Sequence, residues 1–293
     1  MLERRGAAVV AGLVALVAVA GCAGTPGPAP SPVPSPVPAA DASVVLEVVQ
    51  LRGDVASGHI ELRVTNEGEA ALEVARAVYE SSRWSAPMER AEGDAVPPGA
   101  SRNLRLQLPE PTCDEGPLEH RAMLELADGR AVEGAPGDPL GQLESIDDAA
   151  CALRAFEREV ASVRWLDPVI PADGSGPATV RLELDPVAGE GAAGGTVVEV
   201  GPTVLLAPAD ASGSRIESLP VGIALEPGGG AAVVEVPLTP GRCDAHAIAE
   251  DKQGTIFRVR VSIGGAPAEL LLPSPDAQRD ALLAWVVARC AQP

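Results

Sequence analysis

The chain has 293 residues, enough for one or two domains. Apolar residues make up 46% but aromatics only 2%, so any core must be filled by Val, Leu, Ala and Ile. The formal charge is −19, with Lys252 the sole lysine among 22 basic residues. A body this acidic repels phosphate backbones and anionic lipid headgroups. That excludes neither export nor protein binding, but it disfavours nucleic acid as a partner and electrostatic adhesion flat on a membrane.

The first element is a leader. Arg4 and Arg5 supply a positive start, Ala7 to Ala20 is an unbroken run of Ala, Val, Leu and Gly, and Val19-Ala20-Gly21-Cys22 follows. As a helix, a run of about 14 residues spans roughly 21 Å, short of the ~30 Å hydrocarbon core, which suits a signal peptide better than a permanent span. The four residues ending at Cys22 resemble the lipobox of bacterial lipoproteins. The resemblance implies that residues 1–21 are removed, that the Cys22 sulfur carries a diacylglyceryl group (palmitate-type acyl chains), and that the mature chain stays on the extracytoplasmic face of the cell membrane. Two acyl chains anchor a protein stably where one does not. The Ala, Gly, Pro and Arg excess further resembles the coding of a high-GC, actinobacterial genome.

Residues 22–41 follow as the lipidated cysteine and a tether. The stretch AGTPGPAPSPVPSPVPAA has proline at every second or third position, which blocks helix and sheet pairing and favours polyproline II. At about 3.1 Å per residue it reaches roughly 55 Å. We read it as a disordered, semi-rigid spacer.

Downstream, two segments match. Leu104, Leu106 and Leu108 stand nine, seven and five residues before Cys113, and Val234, Val236 and Leu238 stand at the same offsets before Cys243. A Pro-Gly pair precedes each run (Pro98-Gly99, Pro227-Gly228), an Asp follows each cysteine, and a second cysteine comes later, Cys151 and Cys290. The spacing predicts two related domains, 42–155 and 156–293. In each, β-branched alternation predicts strands: Val44–Leu51, Gly58–Thr65 and Ala71–Tyr79 in the first, with a turn at Asn66-Glu67-Gly68, then Ala178–Leu184, Thr196–Leu206, Ala231–Leu238 and Thr255–Ile263 in the second. Each domain is expected to end in a short helix. Leu143, Ile146, Ala150, Leu153 and Val160 keep helical spacing in the first, where the helix could stiffen the junction; Leu282, Trp285, Val286 and Cys290 do so in the second, after Ser274-Pro275. The fold class is therefore mainly β, as two tandem Ig-like sandwiches. The Ig pattern of bridged strands packed on a tryptophan is missing.

With Cys22 lipidated, four cysteines remain, two per domain, and in an exported chain they predict the disulfides Cys113–Cys151 and Cys243–Cys290. No C-x-x-C or zinc spacing occurs. Asp244, His246, Glu250 and Asp251 form the densest set of possible metal ligands, but they match no calcium loop and lack a second histidine, so a solvated turn is the expected reading and no cofactor is implied. Asp114 and Asp244 read as turn or helix caps. His59, after a Ser-Gly turn, is expected to be exposed. Trp285 reads as core, and Trp84 is the candidate for an exposed contact residue. The runs Gly189–Gly195 and Gly228–Gly230 lack the lysine or helix start of a phosphate cradle and read as mobile turns; no G-x-S-x-G elbow occurs. The function expected is a non-catalytic envelope module whose partners are membrane lipid, through Cys22, and an envelope protein or cell-wall component. The alternative is an envelope hydrolase or a small-ligand or metal carrier, with its site formed between the two domains and His246 the first residue to inspect.

Overall fold

The strands form where apolar residues alternate. In β2 (His59–Asn66), Ile60, Leu62 and Val64 all point one way and are buried. They meet Leu46 and Val48 of β1 (Val44–Val49) and Leu104 and Leu106 of β6 (Ser101–Gln107), the flanking antiparallel strands. This three-stranded sheet, β1-β2-β6, faces a second in the order β4-β3-β7-β8: Met88–Arg90, Leu72–Ser81, His120–Leu126 and Ala131–Gly134, with β5 (Asp94–Val96) also on β3. A register shift between Val74 and Arg76 lets Val74, Ala77 and Tyr79 share the inward face of β3, where strict alternation would have split them. The structure is a computed structural model and describes residues 43–114, 116–171, 174–244, 246, 248 and 255–291; Cys22, the tether, Glu250 and Asp251 lie outside the described residues.

The second half repeats the plan. One sheet runs β12-β14-β10-β9 and the other β13-β11-β15-β16. The strands are β9 Ala161–Val169, β10 Ala178–Pro186, β11 Gly195–Val200, β12 Leu206–Pro208, β13 Leu219–Leu225, β14 Ala232–Pro240, β15 Ile256–Ile263 and β16 Ala266–Pro273. Strand order corresponds between halves, β1-β2-β6 with β9-β10-β14 and β3-β7-β8 with β11-β15-β16. The inner faces share a core of Val180, Leu182, Leu184, Val234, Val236, Phe257 and Val259. Each such side chain taken fully from water contributes about 1.5–3 kcal/mol. The indole Nε1 of Trp165 donates to the Pro273 carbonyl at 3.0 Å, tying β9 to β16 across the sandwich.

Helix α1 (Leu143–Glu159) belongs to both halves. Asp138 caps it, accepting from the backbone N–H of Gln142 and Leu143 at 2.9 and 3.0 Å. Its first turn buries Leu143 in the first core and its last buries Phe156 in the second, where Val160 and Ala161 join it. β9 starts at Ala161 with no intervening loop. The expected short helix closing the first domain is thus a 17-residue strut that crosses the expected 155/156 boundary, and Leu153 and Val160 pack on the second core. Helix α2 (Asp276–Cys290) covers the second half with Leu282, Trp285 and Val286.

Disulfides Cys113–Cys151 and Cys243–Cys290, with Cα separations of 5.5 and 5.3 Å, join the segments after β6 and β14 to α1 and α2. Other expectations change. The Thr196–Leu206 strand breaks at Gly201-Pro202, because proline offers no N–H, and resumes as β12 in the opposite sheet. Gly195 is no mobile turn residue. It opens β11 where a Cβ would meet Val160 Cγ1 at 2.5 Å and the Ser262 carbonyl at 2.7 Å. Among the described residues, no helix is long and apolar enough to cross a membrane.

Candidate functional site

Of the four ligand candidates, two are described. Asp244 is exposed and pairs with Arg242 at 3.2 Å, and His246 is exposed. Among the described residues no group of three or more His, Cys, Asp or Glu could hold a metal. Asp114 caps a turn, accepting from Gly116 N–H at 3.0 Å. His120 Nδ1 lies 3.1 Å from the buried Tyr79 hydroxyl; burial lowers the imidazole pKa and pushes the phenol up to about 12. His59 is half-buried, with Nδ1 enclosed and unpartnered, contrary to the exposure expected of it. Trp84 is 7% exposed and belongs to the first core, so it is no free contact residue, though one part borders the cleft described next.

The described residues fall in one compact unit, and the two halves flank a cleft of about 1210 Å³. The floor is the middle of α1: Ala149, Ala150 and Leu153. One wall is the Leu51–Gly58 loop and the segment after β6; the other is β15 and β16, through Ile256 and Leu271. A side pocket of about 220 Å³, reaching Pro202 and Val204, shares Val55, Ile256 and Leu271 with it. Because α1 is embedded in both cores, the floor is held in place before anything binds. At the lip, Gln50 N–H donates to Gln142 Oε1 at 3.0 Å and Gln142 Nε2 donates to the Gln50 carbonyl at 3.1 Å.

The cleft chemistry is apolar floor and charged rim. Arg258 pairs with Glu269 at 2.7 Å and Glu110 with Arg154 at 3.3 Å. No His or Cys is among the described lining residues, and the Ser145 hydroxyl donates to the Gln142 carbonyl at 2.9 Å instead of facing a base. Such a surface buries apolar groups and orients polar ones, and among its described lining residues no nucleophile is seen beside a base.

Behind the loop wall sits a cluster the sequence analysis missed. Asp54 and Glu61 are 4% and 6% exposed. Arg105 Nε lies 3.1 Å from Asp54 Oδ1, and Leu51 N–H donates to Asp54 Oδ2 at 3.0 Å. Burial, then the Asp54 charge, raises the Glu61 pKa, against the lowering influence of Arg105 and Arg90. In sequence, Glu61 occupies an outward position of β2 and reads as a solvated charge. Nothing local signals the loop that covers it.

No protein family matches the chain, and no curated protein does. Among solved structures, red sea bream transglutaminase is similar over 80% of this chain, at 11% identity and a TM-score of 0.25; the match spans 32% of that chain.

Proposed function

We propose that this chain is a membrane-anchored, extracytoplasmic lipoprotein whose two tandem Ig-like sandwiches form a non-catalytic module that binds an envelope protein or cell-wall component in the cleft between them. The Ig-like assignment is supported by the strand orders. Both halves carry an A-B-E set (β1-β2-β6, β9-β10-β14) against a C-F-G set (β3-β7-β8, β11-β15-β16). The observation that carries the binding reading is the cleft: preformed over a helix shared by both cores, apolar in its floor, and lined by no nucleophile–base pair among the described residues. The anchor rests on the leader and the Cys22 motif.

The test has two arms. A photoreactive residue at Ala149 in intact host cells should capture a defined partner, while the same residue at exposed Val287 on α2 should not. Equal capture at both sites sinks the cleft reading. Cys22→Ser should shift the protein from the membrane fraction to the medium or leave it unprocessed; unchanged membrane retention of a processed chain sinks the anchor.

A further inference from the structure

The Leu51–Gly58 loop, with the short 3-10 turn Val55–Ser57, folds over the outer face of the β1-β2-β6 sheet. Glu61 lies on that face between Val49 of β1 and Arg105 of β6. The loop brings Asp54 down onto it. Both Asp54 oxygens are engaged, Oδ1 by the Arg105 guanidinium at 3.1 Å and Oδ2 by the Leu51 N–H at 3.0 Å. Glu61 is differently placed. Its Oε2 is enclosed without a partner, beneath the loop that carries Asp54. An enclosed carboxylate oxygen with no donor disfavours the charged form, so closing the loop over Glu61 favours its protonated form.

We propose that burial of Glu61 beneath the Leu51–Gly58 loop latches the loop to the sheet, so that the cleft wall built from Arg52, Val55 and Ala56 is closed while Glu61 is protonated and loosens when it ionises. The charges facing Glu61 come from three elements: Asp54 from the loop, Arg105 from β6 and Arg90 from β4. Along β2, His59 and Arg63 flank it, and Arg63 is engaged by Glu47 of β1 at 3.7 Å. The sign follows from comparing closed and open states. With the loop closed, burial and Asp54 hold the Glu61 pKa above the ordinary glutamate value of 4.5. With the loop open, water reaches Glu61 and the ordinary value returns. The closed state therefore binds the extra proton. Its advantage is full below the ordinary value and is lost as pH rises through the raised one, the opening constant climbing by at most about tenfold per pH unit for one proton. The consequence for ligand capture rests on the cleft reading above. The latch itself is tested in the ligand-free chain, so the two can fail separately.

Hydrogen exchange on the full chain between pH 5 and 8, corrected for intrinsic exchange rates, reads the latch. Protection of the Leu51, Asp54 and His59 amides, each bonded within the loop, should fall several-fold as pH rises, while that of β10 amides stays level. Glu61→Gln keeps the shape and cannot ionise, so it should abolish the fall and hold the loop at its low-pH protection. The same fall in Glu61→Gln, or none in the wild type, overturns the proposal. A carboxyl ¹³C titration of the unmutated chain decides independently of the variant: Glu61 must titrate above the ordinary glutamate range, and a normal value overturns the proposal.

Discussion

Replacing Gly195 by alanine tests whether the junction between α1 and the second core is as close-packed as it looks. The added Cβ would stand 2.5 Å from Val160 Cγ1, 3.1 Å from Val160 Cγ2 and 2.7 Å from the Ser262 carbonyl oxygen. Val160 cannot yield easily, since it is 1% exposed and held between the end of α1 and the start of β9. Overpacking of this kind costs about 1–3 kcal/mol, offset by about 0.4–1 kcal/mol from the stiffer unfolded chain. A net loss of roughly 1–2 kcal/mol lowers the melting temperature by a few degrees in a domain this size. Val160→Ala alone removes two methyl groups and should cost about 1.6 kcal/mol plus a cavity contribution. In the double variant the Val160 clash disappears while the Ser262 carbonyl remains. The combined loss should therefore fall about 1 kcal/mol short of the sum, beyond the ~0.3–0.5 kcal/mol scatter of independent sites. Urea unfolding followed by tryptophan fluorescence, with Trp165 and Trp285 packed in the second core, gives the three values. Wild-type stability of Gly195→Ala, or strict additivity in the double variant, would refute the close approach.

Three further outcomes are expected. Removing either disulfide as a Cys-to-Ser pair should cost about 4 kcal/mol by loop-closure entropy, for loops of 38 and 47 residues, read by denaturation of oxidised wild type beside the paired variant. Asn66 is 1% exposed; its amide donates to the Ala70 and Val96 carbonyls at 2.8 and 2.9 Å and its Oδ1 accepts from Gly68 N–H. Asn66→Ala leaves those groups unpaired and should cost about 1–3 kcal/mol in the same assay, whereas a wild-type midpoint would show the turn holds without it. Burial depresses the His120 pKa, so the folded chain keeps the neutral ring while the unfolded chain takes up a proton near the ordinary value of 6.5. Stability gained from His120 is therefore present above that value and lost as pH falls through it toward the depressed one; His120→Gln should flatten that limb of the stability–pH curve, and an unchanged limb would locate the dependence elsewhere.

Much of the fold is legible in local pattern. Ile60, Leu62 and Val64 announce a half-buried strand because side chains in β structure alternate faces. The matched offsets before Cys113 and Cys243 survive as β6 and β14, each running toward a disulfide that ends on a helix. Other elements carried no such signal. β16 is Ala-Pro-Ala-Glu-Leu-Leu-Leu-Pro, poor in β-branched residues; it is a strand because all eight residues pair with β15. The continuous reading of 196–206 missed the switch of sheets, since an apolar run does not reveal which sheet its end joins.

The candidate site divides along the same line. Composition, the cysteine parity and the alternating runs are properties of residues near one another in the chain, and they suffice to read a mainly β, acidic, disulfide-tied protein. The cleft is built from residues near 50–58, 108–111, 142–153 and 256–273. The burial of Glu61 depends on a loop that returns over its own sheet. Neither spacing nor propensity encodes such encounters. They arise only in the folded chain, because packing, not sequence proximity, decides which charges lose their water and which surfaces face one another.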